Sequence, residues 1–142
     1  MFLFMQEKTC SIITHVLVLA LLVIFRNQFS VENIAYSAIT AFMAIIGIII
    51  LSLGMATIDK ALTSKKSRLI TSGIYSKIRH PIYYGRILFF IGLTLFFRSV
   101  FGIVLIMILL VPLHIYGIRE EERELVKKFG NKYIKYKNKT LF

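Results

Sequence analysis

The stretch Arg79-His80-Pro81-Ile82-Tyr83-Tyr84-Gly85 joins a basic, polar segment to a long apolar run. A second polar cluster, Glu120-Glu121-Glu122-Arg123-Glu124-Leu125, begins as the next apolar run ends. If the two runs pair as antiparallel helices, both clusters lie at the same end of the pair. Ionisable groups at the edge of a membrane are costly to desolvate unless they are paired or used in chemistry. The two clusters therefore predict a functional site at one end of a helix hairpin.

Composition predicts a single integral membrane domain over residues 1–142. The chain is 57% hydrophobic and carries a net charge of +11, with a mean hydropathy of +0.75. A basic chain of this length can be a nucleic-acid-binding protein. Here the apolar residues instead form long runs, and the Lys and Arg residues lie between them. This arrangement excludes a nucleic-acid partner and is typical of transmembrane helices.

Four apolar runs predict four transmembrane helices, at about 10–25, 34–58, 82–97 and 99–118. The first run is short for a span, and a signal peptide is the alternative, but no Ala-x-Ala-like cleavage site follows it. Only Arg98 and Ser99 separate the last two runs, which predicts a tight antiparallel pair. Pro112 should kink or locally break the fourth helix. The predicted fold is all-α and polytopic, with a cytoplasmic helical tail over 119–142.

The distribution of Lys and Arg predicts the orientation. The connection between the second and third runs contains six of them: Lys60, Lys65, Lys66, Arg68, Lys77 and Arg79. The tail contains eight: Arg119, Arg123, Lys127, Lys128, Lys132, Lys135, Lys137 and Lys139. The other two connections contain only Arg26 and Arg98. The positive-inside rule therefore places both basic segments and both termini in the cytoplasm. Abundant Lys, Ile and Asn residues suggest a microbial cytoplasmic membrane.

The residue types in the two clusters indicate the kind of ligand. They offer a guanidinium with several hydrogen-bond donors, a titratable imidazole, phenols and a pair of carboxylates. This set suits a zwitterionic, partly cationic ligand. Each feature alone also has a structural explanation: Pro81 at the first turn of a helix, acidic residues near a helix start and a helix stop at Gly130. Arg86, one turn into the third run, either snorkels to the interface or points at a ligand.

The segment from Leu69 to Tyr136 resembles the isoprenylcysteine carboxyl methyltransferase and phospholipid methyltransferase group of integral membrane enzymes. That group has a Gly-x-Tyr, an Arg-His-Pro-x-Tyr-x-Gly motif, a helix hairpin and a Glu-Glu-x-x-Leu-x-x-x-Phe-Gly-x-x-Tyr-x-x-Tyr segment. Every motif position is filled here, by Gly73-Ile74-Tyr75, Arg79 to Gly85, Glu121 to Leu125, Phe129-Gly130, Tyr133 and Tyr136. The match covers about half the chain.

The resemblance implies methyl transfer from S-adenosylmethionine to a lipophilic acceptor at the membrane. No Gly-rich dinucleotide-binding loop occurs in the sequence, so helix ends and side chains would hold the cofactor. The implied cofactor-binding residues are Tyr75, His80, Tyr83, Gly85, Glu121, Glu122, Tyr133 and Tyr136. The implied catalytic residues are Arg79, His80 and Tyr83, with Arg86 at the substrate. A carboxylate pairs with the methionyl ammonium, and aromatic faces favour a sulfonium.

Several alternatives remain open at this stage. Either Glu121 or Glu122 can bind the cofactor ammonium, and the acceptor can be a carboxylate, an amine, or an enol or phenol. We predict no metal site, and membrane lipids as neighbours. A sterol-reductase-like enzyme that uses NADPH is one rival hypothesis. The other is a non-enzymatic basic membrane protein that binds anionic lipids.

The topology can be tested by labelling single cysteines. In a Cys10→Ala background, Ser72→Cys should react with a membrane-impermeant maleimide from the cytoplasmic side only. Ser30→Cys should react from the opposite side, because the loop after the first run is poor in Lys and Arg. Labelling of both positions from the cytoplasm would contradict the four-span topology.

Overall fold

A computed structural model describes residues 15–31, 33–62 and 69–141, without the side chains of residues 61 and 62. The start of the first predicted span, with Cys10, lies outside these residues, as do Lys65, Lys66 and Arg68. The described helices are α1 (His15–Ile24), α2 (Ile34–Leu62), a 3₁₀ turn (Gly73–Ser76), α3 (Pro81–Phe96), α4 (Val100–Leu105), a π-helical turn (Ile106–Leu110), α5 (Val111–Phe129) and α6 (Asn131–Lys137). The described part of the chain contains no named strand, which confirms the all-α prediction.

Among the described residues, two helices are long and apolar enough to cross a membrane. They are Ile34–Lys60 and the continuous helix Val100–Phe129, and only 22% of the most apolar window of each is buried inside the protein. Large side chains such as Ile34, Phe42 and Ile108 are more than half exposed. A helix in the core of a soluble protein would bury such residues, so their exposure fits contact with lipid. The other two apolar helices, His15–Ile24 and Pro81–Phe96, are shorter, and four complete spans remain a prediction.

Local sequence explains where the helix hairpin begins and turns. Pro81 occupies the first turn of α3, where its missing N–H needs no partner. Arg98 adopts a left-handed backbone conformation with φ of 54°. Ser99 then caps α4 by accepting a hydrogen bond from the N–H of Gly102 at 3.0 Å. The connection is therefore short, as predicted, but it includes Phe97 as well as Arg98 and Ser99, because α3 ends at Phe96.

The second arm of the hairpin differs in part from the prediction. The π-helical turn Ile106–Leu110 precedes Pro112, so the predicted local break lies in the turn before the proline. The predicted boundary at residue 118 is not a helix end, because α5 continues to Phe129. Charged residues from 119 onward extend the same helix, since Glu, Arg and Lys are good helix formers. The helix stops at Gly130, with φ of 51°, as predicted.

Helices α2 and α3 pack through small residues. Thr40, Ala44, Gly47 and Gly54 on α2 are buried, as are Pro81, Gly85 and Gly92 on α3. A Cβ at Gly92 would lie 2.5 Å from the backbone nitrogen of Ala44, and one at Gly85 would lie 2.6 Å from that of Leu51. Glycines therefore let the two backbones touch, as small residues do between membrane helices. This contact holds α3 in place and leaves its other face for α1 and α5.

A small apolar core fills that other face of α3. Val18 and Leu22 from α1 pack with Phe90 from α3, and with Ile106 and Leu110 from the π-helical turn. All five side chains are at most 2% exposed. The polar residues of both clusters lie toward the opposite end of the hairpin from its turn at Arg98, as the sequence predicts.

Substitutions at two glycines test the packing of α2 against α3. Gly92→Ala should lower the free energy of unfolding by about 1–3 kcal/mol, because the added methyl meets backbone. Gly54→Ala is the matched control, since its Cβ would meet side-chain atoms of Ile82 at 2.9 Å and Pro81 at 3.2 Å, and the nearest backbone atom only at 3.4 Å. The apparent Tm in detergent should fall clearly for Gly92→Ala and little for Gly54→Ala. Equal Tm values for the two variants would contradict this packing.

Candidate active site

The two polar clusters meet where α3 begins and α5 passes beside it. One stripe of α5 carries His114, Gly117, Glu121 and Leu125, at the spacings of three and four residues that share a helix face. A Cβ at Gly117 would lie 3.0 Å from the ring of Tyr83 on α3, and Glu121 contacts His80. The predicted juxtaposition of the clusters is therefore present in the structure.

His80 lies buried between two carboxylates. Its Nδ1 is 3.3 Å from Oε2 of Glu121, and its Nε2 is 3.5 Å from Oε1 of Glu122. The imidazole is the N-cap residue of α3 and is 3% exposed. The adjacent pair of acids on α5 thus holds one ring from both sides, which fixes its orientation and ties α3 to α5.

Glu122 lies next to two cationic side chains and the imidazole of His80. Its Oε2 accepts a hydrogen bond of 2.7 Å from Nζ of Lys137 on α6, and its Oε1 lies 3.5 Å from Nε of Arg79 as well as from His80. The side chain is 20% exposed, whereas that of Glu121 is 42% exposed. A carboxylate with three partners has a structural role, because removing any of the partners leaves a poorly solvated charge.

Arg79 binds the backbone at the end of α6 and just after it. Its Nη1 donates to the carbonyl oxygens of Lys137 at 2.9 Å and Thr140 at 3.2 Å. These carbonyls lie at and just beyond the C-terminus of α6, where a cation is favoured. The N–H of Leu141 donates to the carbonyl of Lys77 at 2.9 Å. The segment before α3 therefore holds α6 and the residues that follow it.

A cleft of about 200 Å³ opens beside this network. Its polar walls come from Tyr75 in the 3₁₀ turn, Arg79 before α3, Glu121 on α5, and Tyr133 and Tyr136 on α6. Its other lining residues are Ile58, Leu69, Ile70, Leu125, Lys128 and Phe129. The hydroxyl of Tyr136 donates to the carbonyl of Tyr75 at 2.6 Å, which closes one wall. The cleft combines one carboxylate, cations and three phenol rings.

The phenols in the cleft stay protonated at neutral pH. Burial, with the Glu121 charge adding to it, raises the pKa of Tyr75 above its ordinary value. Burial and the Glu122 carboxylate do the same to the pKa of Tyr133, and burial raises the pKa of Tyr136. The three tyrosines therefore present neutral aromatic rings and hydroxyl donors, and none serves readily as a base.

Five predicted site residues lie outside the lining of the cleft: His80 and Glu122, described above, and Tyr83, Gly85 and Arg86. Gly85 faces α2, where its missing side chain permits the helix contact described above. Tyr83 lies below His80, with ring centroids 6.0 Å apart. Arg86 is half-buried one turn further along α3. The last two residues therefore continue the polar line from His80 toward the middle of the hairpin.

Two residues of the site were missed in the sequence analysis. Lys137 was counted only as a positive-inside charge, and its contact with Glu122 depends on how α6 folds back. His114 lies in the fourth apolar run and is 2% exposed. An ionisable residue within an otherwise apolar run was the signal that could have identified it.

Comparison with known proteins assigns the family. The sequence profile of phospholipid methyltransferases matches residues 34–132, which include α2, α3, the hairpin and the site on α5. The chain belongs to the phospholipid methyltransferase family. This finding confirms the resemblance seen in the two motifs. The chain is also 31% identical over 120 residues to the Protein-S-isoprenylcysteine O-methyltransferase of Saccharomyces cerevisiae.

The comparison with that yeast protein covers 75% of this chain and 50% of the yeast protein. The chain therefore matches half the length of this curated relative. No solved structure matches the chain. The region matched by the phospholipid methyltransferase profile contains the hairpin and most of the residues that line the cleft, and Tyr133 and Tyr136 lie just beyond its end.

The cleft suits the cofactor implied for a member of the phospholipid methyltransferase family. S-adenosylmethionine carries an ammonium, a carboxylate and a sulfonium. The cleft supplies Glu121 for a cation, Arg79 for an anion, and the faces of Tyr75, Tyr133 and Tyr136, which attract a sulfonium through their ring quadrupoles. Within the described residues, no group of three or more His, Cys, Asp or Glu side chains is arranged to hold a metal ion.

Glu122→Gln tests the structural role of this carboxylate. Loss of its charge leaves Arg79, His80 and Lys137 without their shared partner, so the free energy that docks α6 should fall by about 1–3 kcal/mol. Amide hydrogen exchange in residues 131–141 should accelerate relative to the parent. Glu120→Gln is the matched control, because the ion pair that Glu120 makes among the described residues is with Arg123 on the exposed face. Unchanged exchange in the Glu122 variant would contradict this role.

Proposed function

We propose that this protein transfers the methyl group of S-adenosylmethionine to a lipophilic acceptor at the cytoplasmic face of a membrane. The proposal rests on family membership and on one observation: a carboxylate, a cation and three tyrosines line one cleft at the end of an apolar helix hairpin. When bound, S-adenosylmethionine supplies an electrophilic methyl group on a cationic sulfur. The protein's own part is to bind, orient and exclude water.

Glu121 is the better candidate for the cofactor ammonium. It lines the cleft, and within the described residues its ionic contact is with His80. Glu122 is committed to Arg79, His80 and Lys137, and it does not line the cleft. His80 would then act mainly by orienting Glu121, since the imidazole is buried behind the two acids. Arg79 would contribute charge at the edge of the cleft while its Nη1 holds α6.

The acceptor would approach from the membrane side of the site. A lipophilic molecule loses about 0.8 kcal/mol of burial for each CH₂ that leaves the bilayer. Entry between helices near Tyr83, Arg86 and Pro112 avoids that loss, and Pro112 lies just after the π-helical turn. The acceptor atom would have to lie within about 3–3.5 Å of the methyl carbon. Tyr83 lies next to His80 on the side toward the turn of the hairpin, so its side chain could position the acceptor.

Binding of S-adenosylhomocysteine tests the proposal directly. Isothermal titration calorimetry of the detergent-solubilised parent should show saturable binding, and NADPH should show none. Glu121→Gln should weaken the Kd about 10-fold or somewhat more, corresponding to about 1–2 kcal/mol. This is below the usual cost of losing a buried charged partner because the Glu121 side chain is 42% exposed.

Glu124→Gln is the matched control for this experiment, since Glu124 is 71% exposed and pairs with Lys127. Its Kd should equal that of the parent. Binding of NADPH and not of S-adenosylhomocysteine would favour the reductase hypothesis. Equal Kd values for the parent and the Glu121 variant would overturn the assignment of the ammonium to Glu121.

A further inference from the structure

Lys128 is a cation in the lining of the cleft that the proposed function leaves unassigned. It lies near the end of α5, where Glu121 and Leu125 line the same cleft. Spacings of four and three residues place these three side chains on one face of the helix. Two turns of helix, a rise of about 10.5 Å, separate Glu121 from Lys128. One face of α5 therefore presents an anion, an apolar side chain and a cation to the cleft.

The ammonium group of Lys128 is available to a ligand. None of the ion pairs within the described residues includes it. Its Nζ lies 5.6 Å from the ring centroid of Phe129, which also lines the cleft. A cation–π contact of this kind orients an ammonium without neutralising its charge. Lys128 is thus placed at the wall of the cleft with a charge that a ligand anion can match.

Among the residues that line the cleft, the other cation is Arg79, and most of its contacts lie within the protein. Its Nη1 donates to the carbonyl oxygens of Lys137 and Thr140, and its Nε lies 3.5 Å from Glu122. Turning the guanidinium toward a ligand would break contacts that hold α6. The exposed side chain of Lys128 can reach a ligand without such a loss, because its stem is flexible.

The cofactor of the proposed function carries a single anion, its methionyl carboxylate, which is bonded to the same carbon as the ammonium. Binding of the ammonium at Glu121 therefore places the carboxylate near the same face of α5. Two charge-assisted hydrogen bonds of about 2.8 Å, with about 3 Å between the two charged groups of an α-amino acid, together span about 8–9 Å. This length is close to the rise of two helical turns, about 10.5 Å. The flexible stem of Lys128 covers the difference.

We propose that Lys128 binds the carboxylate of the cofactor while Glu121 binds its ammonium, so that the cleft selects ligands with an intact α-amino acid group. This inference rests on the proposed function and adds a specificity-determining residue to the same site. Leu125, which lies between the two charged residues, would contact the methylene groups of the amino acid chain. Lys128 would be a binding residue and would take no part in the transfer of the methyl group.

This arrangement also sets the direction of the bound amino acid group. Lys128 lies two turns further than Glu121 from the apolar part of α5 and is exposed. The carboxylate would therefore lie at the outer, more hydrated end of the cleft, where its desolvation costs least. The ammonium would lie closer to His80, which contacts Glu121. The tyrosine rings of the cleft remain for the sulfonium.

Calorimetry with two ligands tests the inference in the full-length protein. S-adenosylhomocysteine has both the ammonium and the carboxylate, whereas its decarboxylated analogue keeps only the amine. Lys128→Met should raise the Kd for S-adenosylhomocysteine about 5-fold, near the upper limit for an exposed ion pair. The Kd for the decarboxylated analogue should stay within twofold of the parental value. A loss of affinity that is confined to the ligand with a carboxylate identifies the contact.

Three further variants complete the calorimetry. Lys128→Arg keeps the charge and should keep the Kd for S-adenosylhomocysteine within twofold of the parental value. Lys127→Met is the matched control, because it removes the same charge from a residue that is 73% exposed and pairs with Glu124. This variant should bind both ligands as tightly as the parent. Glu121→Gln should weaken the binding of both ligands, because both contain the amine that Glu121 binds.

Arg79→Gln separates this assignment from the alternative in which Arg79 binds the carboxylate. This variant should weaken both ligands to the same degree, because it loosens α6, which carries Tyr133 and Tyr136 of the cleft. Amide hydrogen exchange in residues 131–141 should accelerate in Arg79→Gln and stay at the parental rate in Lys128→Met. A residue that contacts only the ligand should leave the docking of α6 unchanged.

Two results would overturn the inference. One is a Lys128→Met variant that binds both ligands as the parent does, or that loses affinity for both equally. The other is a loss that depends on the carboxylate in Arg79→Gln and not in Lys128→Met. Either result would leave the methyltransferase proposal intact. Failure of the parent to bind S-adenosylhomocysteine would instead count against the proposed function, and the inference would fall with it.

Discussion

The organisation of the site depends on one partly buried carboxylate, Glu122. A poorly solvated charge must be matched by charges and donors close to it, and Glu122 draws these from two other parts of the chain. Arg79 and His80 come from the start of α3, and Lys137 comes from α6. Satisfying Glu122 therefore brings together the segments that wall the cleft. Its neighbour Glu121 is left facing the cleft, where a ligand can use it.

The packing of α3 determines where the polar residues of the site lie. One face touches the backbone of α2 through glycines, and the other carries His80, Tyr83 and Phe90 toward α5 and α1. The backbone contact with α2 positions the polar residues of α3 opposite the stripe on α5. The resulting line of groups leads from a polar cleft to the buried His114.

Sequence alone predicted the all-α fold, the hairpin, the break at Gly130 and the meeting of the two polar clusters, because apolar runs and motif spacing are local signals. It did not predict that α5 continues past residue 118, since charged residues extend a helix as readily as they end a span. The sequence did not show which of Glu121 and Glu122 faces the cleft. That difference depends on Lys137, which reaches Glu122 only because α6 folds back onto α5. The burial of His114 against Tyr83 depends on how α3 packs on α5, which the sequence does not show.

The central claim is that the two motifs form one binding site for a methyl sulfonium cofactor, and a structure of the complex with S-adenosylhomocysteine tests it most directly. We expect the ligand in the cleft beside Tyr75 and Tyr133, with its amino group about 2.7–2.9 Å from an oxygen of Glu121. The Glu122 contacts with Arg79 and Lys137 should persist. Ligand density outside this cleft, or an amino group on Glu122 with Lys137 displaced, would contradict the account.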